Sequence, residues 1–147
     1  MAKRTIKVRK VATPDHLSDH VKEQLNLLDR ELFDGSPVFP KDGSYWWFVY
    51  CDDEIVGFAG LTYYNELKSA FLSRVGVLPS ARGLGIQKRL IKARERQAIK
   101  DGYNRIISYT SRDNIASANN LFSCGYKLYI PKWEWGIRLG LYFEKKV

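Results

Sequence analysis

Apolar and polar residues alternate from Thr5 to Ala12, with Ile6 and Val8 on one side and Lys7 and Arg9 on the other, the two-residue period of a half-exposed strand. Thr13-Pro14 then reads as an N-cap followed by proline at the first helical position. The recurrence of Leu17, Val21, Leu25, Leu28 and Leu32 predicts an amphipathic helix behind it. Gly35, Pro37, Pro40 and Gly43 break any regular pattern, so Asp34 to Ser44 is expected to be a surface loop of the kind that borders binding sites. Two aromatic and β-branched runs, Tyr45 to Tyr50 and Ile55 to Tyr63, flank the polar Cys51-Asp52-Asp53-Glu54 and predict an antiparallel hairpin. Ala70 to Val77, with Phe71, Ser73, Val75 and Val77 on one face, adds a strand beside it.

In the second half, Ile86, Leu90, Ala93 and Gln97 form a stripe that Ile91 and Ala98 widen, predicting a helix from Gly85 to Asp101 that stops at Gly102. Arg105 to Thr110 reads as a strand, and Asn114 as the cap of a short helix, Ile115 to Cys124, closed by Gly125. Tyr126 to Ile130 and Ile137 to Phe143 read as final strands. The order strand, helix, three strands, helix, strand, helix, two strands implies an α/β (α+β) fold with a mixed sheet. No internal repeat is visible.

The chain has 147 residues, 45% apolar and 14% aromatic, which fits one compact domain over residues 1–147. Its formal charge of +8 favours anionic partners: phosphates, nucleic acid or an anionic membrane. No apolar run approaches the roughly 20 residues of a membrane span, and no apolar segment follows Met1-Ala2-Lys3-Arg4, so a cytoplasmic location without membrane association is expected. Cys51 and Cys124 lack a metal-ligand spacing and read as free thiols of a reducing compartment.

The stretch with chemical content runs from Val75 to Arg89, a strand leading through a glycine-containing turn into a helix. Gly83 and Gly85 let the backbone approach a phosphate, the helix N-terminus adds partial positive charge, and Arg82, Lys88 and Arg89 add whole charges. A GxG on its own equally suits an ordinary turn. No GxxxxGK[ST] is present and the dinucleotide fingerprint GxGxxG is not completed, which argues against a nucleotide triphosphatase.

This segment resembles the cofactor loop of the GNAT family of acyl-CoA N-acyltransferases, whose pattern is Gln/Arg-x-x-Gly-x-Gly/Ala between a strand and a long helix. Arg82 and Gly85 match its first two fixed positions, and Gln87 stands where the final Gly/Ala is usual. Downstream, Asn114-Ile115-Ala116-Ser117 through Leu121-Phe122-Ser123-Cys124-Gly125-Tyr126 resembles the family's second motif. Together the resemblance covers roughly the last two thirds of the chain. It implies a mostly antiparallel central sheet flanked by helices, with acetyl-CoA as cosubstrate. By the same resemblance, Val75 and Val77 offer main-chain groups to the pantetheine arm, amides from Arg82 through Gly83, Leu84, Gly85, Ile86 and Gln87 to Lys88 hold the pyrophosphate, and Asn114 and Ser117 belong to the coenzyme site.

Acyl transfer to an amine needs the neutral amine, whereas a free alkylammonium titrates near ~10.4, so a base or a desolvating pocket must assist. By resemblance the amine attacks directly in a ternary complex, and an amide near Val77 polarises the thioester carbonyl. Cys124 as a nucleophile is disfavoured by its place at a helix C-terminus. Many family members carry a proton-donating tyrosine four residues before the glycine of the second motif; here that residue is Leu121. Tyr126, Tyr129, Tyr109 or water would then serve, with Tyr126 the first candidate. Glu66 is the first candidate base and Glu134 the second, a solvated surface carboxylate being the other reading of each.

Trp46, Trp47, Tyr63, Tyr64, Trp133 and Trp135 fall in segments that flank the acceptor groove of this fold. Core packing and a pocket that holds an amine by cation–π attraction are both open to them, and of the adjacent Trp46 and Trp47 one can be core while the other lines a pocket. His16 and His20 with their acidic neighbours lack a third fixed ligand, so no metal is expected. Lys88, Arg89, Lys92, Arg94 and Arg96 read as the polar outer face of a helix more readily than as a nucleic-acid patch. The sequence thus points to an N-acetyltransferase acting on an amine-bearing small molecule or protein and leaves a homodimer open. A catalytically idle acyl-CoA-binding or nucleic-acid-binding module is the alternative.

Overall fold

In this computed structural model, which describes residues 4–33 and 40–147, the elements follow the expected order. They are β1 (Ile6–Ala12), α1 (Asp19–Leu32), β2 (Tyr45–Cys51), β3 (Glu54–Tyr64), β4 (Ser69–Val77), α2 (Ile86–Lys100), β5 (Arg105–Thr110), α3 (Ile115–Ser123), β6 (Lys127–Leu128) and β7 (Leu141–Lys146). The sheet order is β1-β2-β3-β4-β5-β7-β6, with β4 and β5 parallel and β1/β2, β2/β3, β5/β7 and β6/β7 antiparallel. The described chain forms two compact units, one of residues up to Thr62 with Ser73–Leu90, the other of Tyr63–Leu72 with Ile91–Val147.

In the first unit the predicted hairpin closes through Asp52-Asp53, pairing Cys51 with Glu54 and Tyr45 with Leu61. Asp52 takes a left-handed φ of 55°, which a short polar side chain tolerates in a tight hairpin turn. Its Oδ1 accepts from the Thr5 amide at 3.0 Å and fixes the start of β1. Trp46, Phe48 and Phe58 pack with Leu25 and Leu28 of α1 and with Ala12. Full burial of such side chains stabilises by about 1.5–3 kcal/mol each, so this cluster anchors the unit. Trp46 and Trp47 alternate faces as expected, yet both are core, at 0% and 5% exposure; neither is free to line a pocket.

Two further expectations are corrected here. Thr13-Pro14 does not start α1: Thr13 and His16 exchange backbone hydrogen bonds in a tight turn, and Ser18 is the cap, its hydroxyl accepting from the Val21 amide at 3.2 Å. Proline serves the first position of a turn as well as that of a helix, so the local pattern was degenerate. Of the expected loop, residues 34–39 lie outside the described residues, and Lys41 is not at the surface. Its ammonium meets Asp29 at 2.6 Å with the two side chains 1% and 2% exposed, while Arg74 reaches the other Asp29 oxygen at 3.0 Å. Burial alone would raise the Asp29 pKa, but hydrogen bonds from Lys41 and Arg74 outweigh it and hold the carboxyl below its ordinary value.

In the second unit, Ala70 and Phe71 of β4 pair with Ile106 and Ile107 of β5, whose other edge runs along β7 from Arg105–Lys146 to Thr110–Leu141. Ile106, Ile107, Leu121 and Phe143 are buried. The predicted stripe of α2 is buried too, but so are Arg94 and Glu95, which places Arg94 in the interior and not on the outer basic face. Glu95 Oε2 accepts from the Tyr126 hydroxyl at 3.0 Å and from Lys145 Nζ at 2.9 Å. Lys145 also donates to the Cys124 carbonyl at 2.8 Å, satisfying the C-terminal end of α3. Burial pushes the Arg94 guanidinium down to about 10.

The last hairpin is shorter and later than its sequence suggests. The penultimate strand keeps two residues, Lys127–Leu128, and the last begins at Leu141 instead of Ile137. Between them the chain folds back on Tyr142, whose hydroxyl accepts from the Gly136 amide and donates to the Ile137 carbonyl. Leu139 has a left-handed φ of 57° that no regular strand accommodates.

Candidate functional site

The corner between β4 and α2 is built from local chain geometry. The Leu78 amide donates to the Val56 carbonyl at 2.8 Å, so alternation along the strand directs the N–H and C=O of Val77 away from β3, and those of Val75 likewise. Arg82 Nε donates back to the Val77 carbonyl at 3.2 Å and braces the turn against the strand end. Gly83 and Gly85 then take φ of 80° and 72°, left-handed values that a β-carbon disfavours, and around each the space a β-carbon would enter is open to 4 Å. The amides of Gly83, Leu84, Gly85, Ile86 and Lys88 donate to no acceptor among the described residues; the first bond closing onto the corner is Arg89 N–H to the Gly85 carbonyl at 3.2 Å. Unspent donors at a helix N-terminus are an arrangement that favours anions, which makes this corner the candidate phosphate site. Arg82, Lys88 and Arg89 are exposed around it, and Arg4 and Arg89 also tie it to neighbouring backbone, at Ser80 and Ile6. These residues, from Val75 through Gln87 to Lys88, fall together in the first unit.

Asn114 and Ser117 belong to the second unit. Asn114 caps α3, its Oδ1 accepting from the Ser117 amide at 3.3 Å, so its carbonyl oxygen holds the helix while its NH₂ group points from an exposed position. Tyr126 is elsewhere occupied. Its ring is buried, its hydroxyl hydrogen goes to Glu95, and burial followed by the Glu95 charge raises its pKa far above the ordinary phenol value. The residue expected as proton donor therefore serves as a partner of a buried carboxylate. Tyr129 accepts from Trp135 Nε1 at 2.7 Å, and Leu121 is buried and apolar.

Glu66 stands in a pocket of about 450 Å³ lined by Tyr63, Tyr64, Asn65, Glu66, Leu67, Trp133 and Trp135. The second carboxylate, Glu134, is engaged by the Leu139 amide and stabilises the strained bend before β7. The pocket walls are held from behind: Tyr64 stacks on Phe71 at 5.3 Å, Trp135 meets Phe71 edge-on at 5.2 Å, and Tyr63 stacks on Tyr103 at 4.1 Å while its hydroxyl donates to Asp101. Burial raises the Tyr64 pKa, so its ring stays neutral near pH 7. Asn65 and Leu67 escaped sequence reasoning because a single helical turn between two strands carries no periodicity, and Tyr103 and Asp101 because their partner is remote in the chain.

Comparison with known proteins bears on the family and the fold. The family model described as acetyltransferase (GNAT) family matches residues 7–126. A protein of Xenopus tropicalis named "Probable N-acetyltransferase 14" is 32% identical over 90 residues, which are 61% of this chain and 43% of that protein, so the match spans less than half of its length. An acetyltransferase of the GNAT family from Staphylococcus aureus superposes with a TM-score of 0.74 at 14% identity, covering 97% of this chain and 99% of that one. The ribosomal-protein-S18-alanine N-acetyltransferase of Escherichia coli gives 0.72 at 11% identity, covering 97% and 94%. A Bacillus subtilis acetyltransferase in complex with CoA gives 0.69 at 15% identity, covering 99% of each chain. At these identities the structural likeness is one of fold. No helix among the described residues is long and apolar enough to cross a membrane.

Proposed function

Since the chain belongs to the acetyltransferase (GNAT) family, we propose that it is an N-acetyltransferase that moves an acetyl or other short acyl group from acetyl-CoA to a primary amine by direct attack in a ternary complex. The observation that carries this reading is the β4–α2 corner, whose unspent amides and open space beside Gly83 and Gly85 fit a diphosphate. Acetyl-CoA supplies the activated acyl group: the nitrogen–carbon bond forms as the carbon–sulfur bond breaks and the sulfur leaves as thiol.

The amides of residues 83–88 would hold the pyrophosphate, with Arg82, Lys88 and Arg89 balancing its charge, while Val75 and Val77 present main-chain groups to the pantetheine arm and Asn114 and Ser117 contribute from α3. The Val77 amide, directed away from β3, is the donor for the thioester oxygen; losing such a donor elsewhere costs about 2.7–4 kcal/mol of transition-state stabilisation. Glu66, exposed in the aromatic pocket, takes the first proton from the incoming ammonium. Glu134 is bound to its own backbone turn and is the weaker candidate. With Tyr126 committed to Glu95, Tyr129, Tyr109 and water remain as sources of the proton that ends on sulfur. The two buried free cysteines accord with a reducing, cytoplasmic setting.

Calorimetry with CoA and a thiol-release assay with acetyl-CoA over a panel of amines test the reading. Saturable CoA binding with amine-dependent thiol release is expected. Binding without turnover on any amine would mark an idle coenzyme-binding module, and salt-sensitive binding to random DNA without coenzyme affinity a nucleic-acid reader.

A further inference from the structure

The outer face of α3 is unlike that of the other helices. α1 and α2 turn charged side chains to solvent, as surface helices of a protein with 27% charged residues should, but Ile115–Ser123 contains no ionisable side chain at all. In their place Ile115 and Phe122, two turns apart on one side of the helix, are exposed.

This apolar face continues onto the edge of the sheet. The Phe122 ring meets the buried Phe143 edge-on at 5.2 Å, and Leu128 stands directly opposite Phe143 across the β6–β7 ladder, so Phe122 and Leu128 flank one ring on the same face of the sheet. The Tyr129 amide donates to the Tyr142 carbonyl at 2.9 Å, which carries the ladder one residue past β6 and puts Ile130 on the face of Leu128. Leu128 is exposed and Ile130 is 96% exposed, so Ile130 packs against almost nothing within the chain. Exposed apolar residues scattered singly are ordinary; four large ones in a row along a helix and the strand beside it mark a contact surface.

The charge pattern selects the occupant. Nucleic acid and anionic lipid need cations where they dock, and α3 offers none. A twofold contact brings the same patch of two chains together, so a charge within it meets its own kind; an uncharged face on a protein of net charge +8 meets that requirement. Lys127 and Pro131 blunt the main chain of β6, the last strand of the sheet, and leave side-chain packing as the means of contact.

We propose that a second copy of this chain covers this face, in a symmetric dimer packed through Ile115 and Phe122 of α3 and Leu128 and Ile130 beside it. The inference goes beyond the acyl-transfer reading and does not depend on it. Two chains of charge +8 repel at a distance while the contact itself is apolar, so salt screens the repulsion and tightens the dimer, the reverse of a contact held by ion pairs.

Sedimentation equilibrium and light scattering of the full chain, across micromolar concentrations at low and high sodium chloride, test this. A monomer–dimer equilibrium is expected, with a Kd that falls several-fold as salt rises. Ile130→Lys, which gives up almost no contact inside the chain, and Phe122→Lys should each raise that Kd about tenfold or more with an unchanged circular dichroism spectrum. Ile99→Lys adds the same charge at an exposed apolar position on α2 and should leave the Kd within about twofold of the parent. A single-chain mass at every concentration and salt, a dimer that Ile130→Lys and Phe122→Lys leave intact, or one that Ile99→Lys weakens as much would each overturn the proposal. So would a monomer that sediments with phosphatidylglycerol vesicles, since the face would then belong to a lipid surface.

Discussion

Replacing Gly85 by valine tests the proposed coenzyme-binding role of the β4–α2 corner separately from its role in the fold. Gly85 has a φ of 72°, and beyond its own atoms and its two chain neighbours no heavy atom lies within 4 Å of where its β-carbon would stand. The substitution therefore creates no clash inside the protein; it imposes left-handed strain of roughly 1–2 kcal/mol and places two methyl groups in the space faced by the free amides. For a chain of this length such strain lowers the melting temperature by about 2–8 °C. Binding should fall much further. Hydrogen bonds to a charged group contribute about 1.5–3 kcal/mol each, so displacing the diphosphate from even one amide weakens CoA by about 10- to 150-fold. Gly102→Val is the matched control, since Gly102 has a φ of 88° and equally open surroundings but follows the C-terminus of α2. Calorimetry with CoA and thermal unfolding of both variants decide the matter. If Gly85→Val binds CoA within twofold of the parent while melting like Gly102→Val, the corner does not hold a diphosphate and the reasoning fails.

Other consequences follow from the packing. Tyr126→Phe removes a hydrogen bond to the Glu95 carboxylate and should lose about 1.5–3 kcal/mol of stability while leaving kcat and its pH profile unchanged; a large fall in kcat would restore Tyr126 as the proton donor. Asp29 holds its proton off to lower pH in the folded chain than in the unfolded one, so below the ordinary value of 3.8 the unfolded state binds more protons and stability drops as pH falls. Acid titration of unfolding should show this loss in the parent, and Asp29→Asn, less stable near pH 7, should show a shallower one. Gly60→Ala would set a methyl 2.7 Å from the Trp46 ring and 2.5 Å from Ser73 Oγ, and chemical denaturation should register a loss of about 1–3 kcal/mol.

Much of the molecule was legible before its structure. The hairpin of β2 and β3, the β5 span Arg105–Thr110, the α2 stripe and the Asn114 cap all rest on short-range rules: a period of two or 3.6, a cap one residue before a helix, a glycine after its end. The corner at Gly83 and Gly85 was readable for the same reason, because positive φ and free helix-end amides are properties of a few consecutive residues. Thr13-Pro14 satisfies the rule for a helix start and equally that for a tight turn, so the expected start fell five residues ahead of the Ser18 cap.

Partners far along the chain decided the rest. Lys41 is buried because Asp29 accepts from its ammonium and the Trp46 indole donates to its carbonyl, Arg94 and Tyr126 because the Glu95 neighbourhood lies in the interior, and β7 starts only at Leu141 because the Tyr142 hydroxyl holds Gly136 and Ile137 in a bend. Trp47 and Trp133 were indistinguishable as residue types; only assembly placed one in the core and left the other at the rim of a pocket. Periodicity encodes which side of an element is apolar, whereas desolvation, hydrogen-bond satisfaction and charge pairing depend on which remote atoms arrive beside it, and those are known only once the chain has folded.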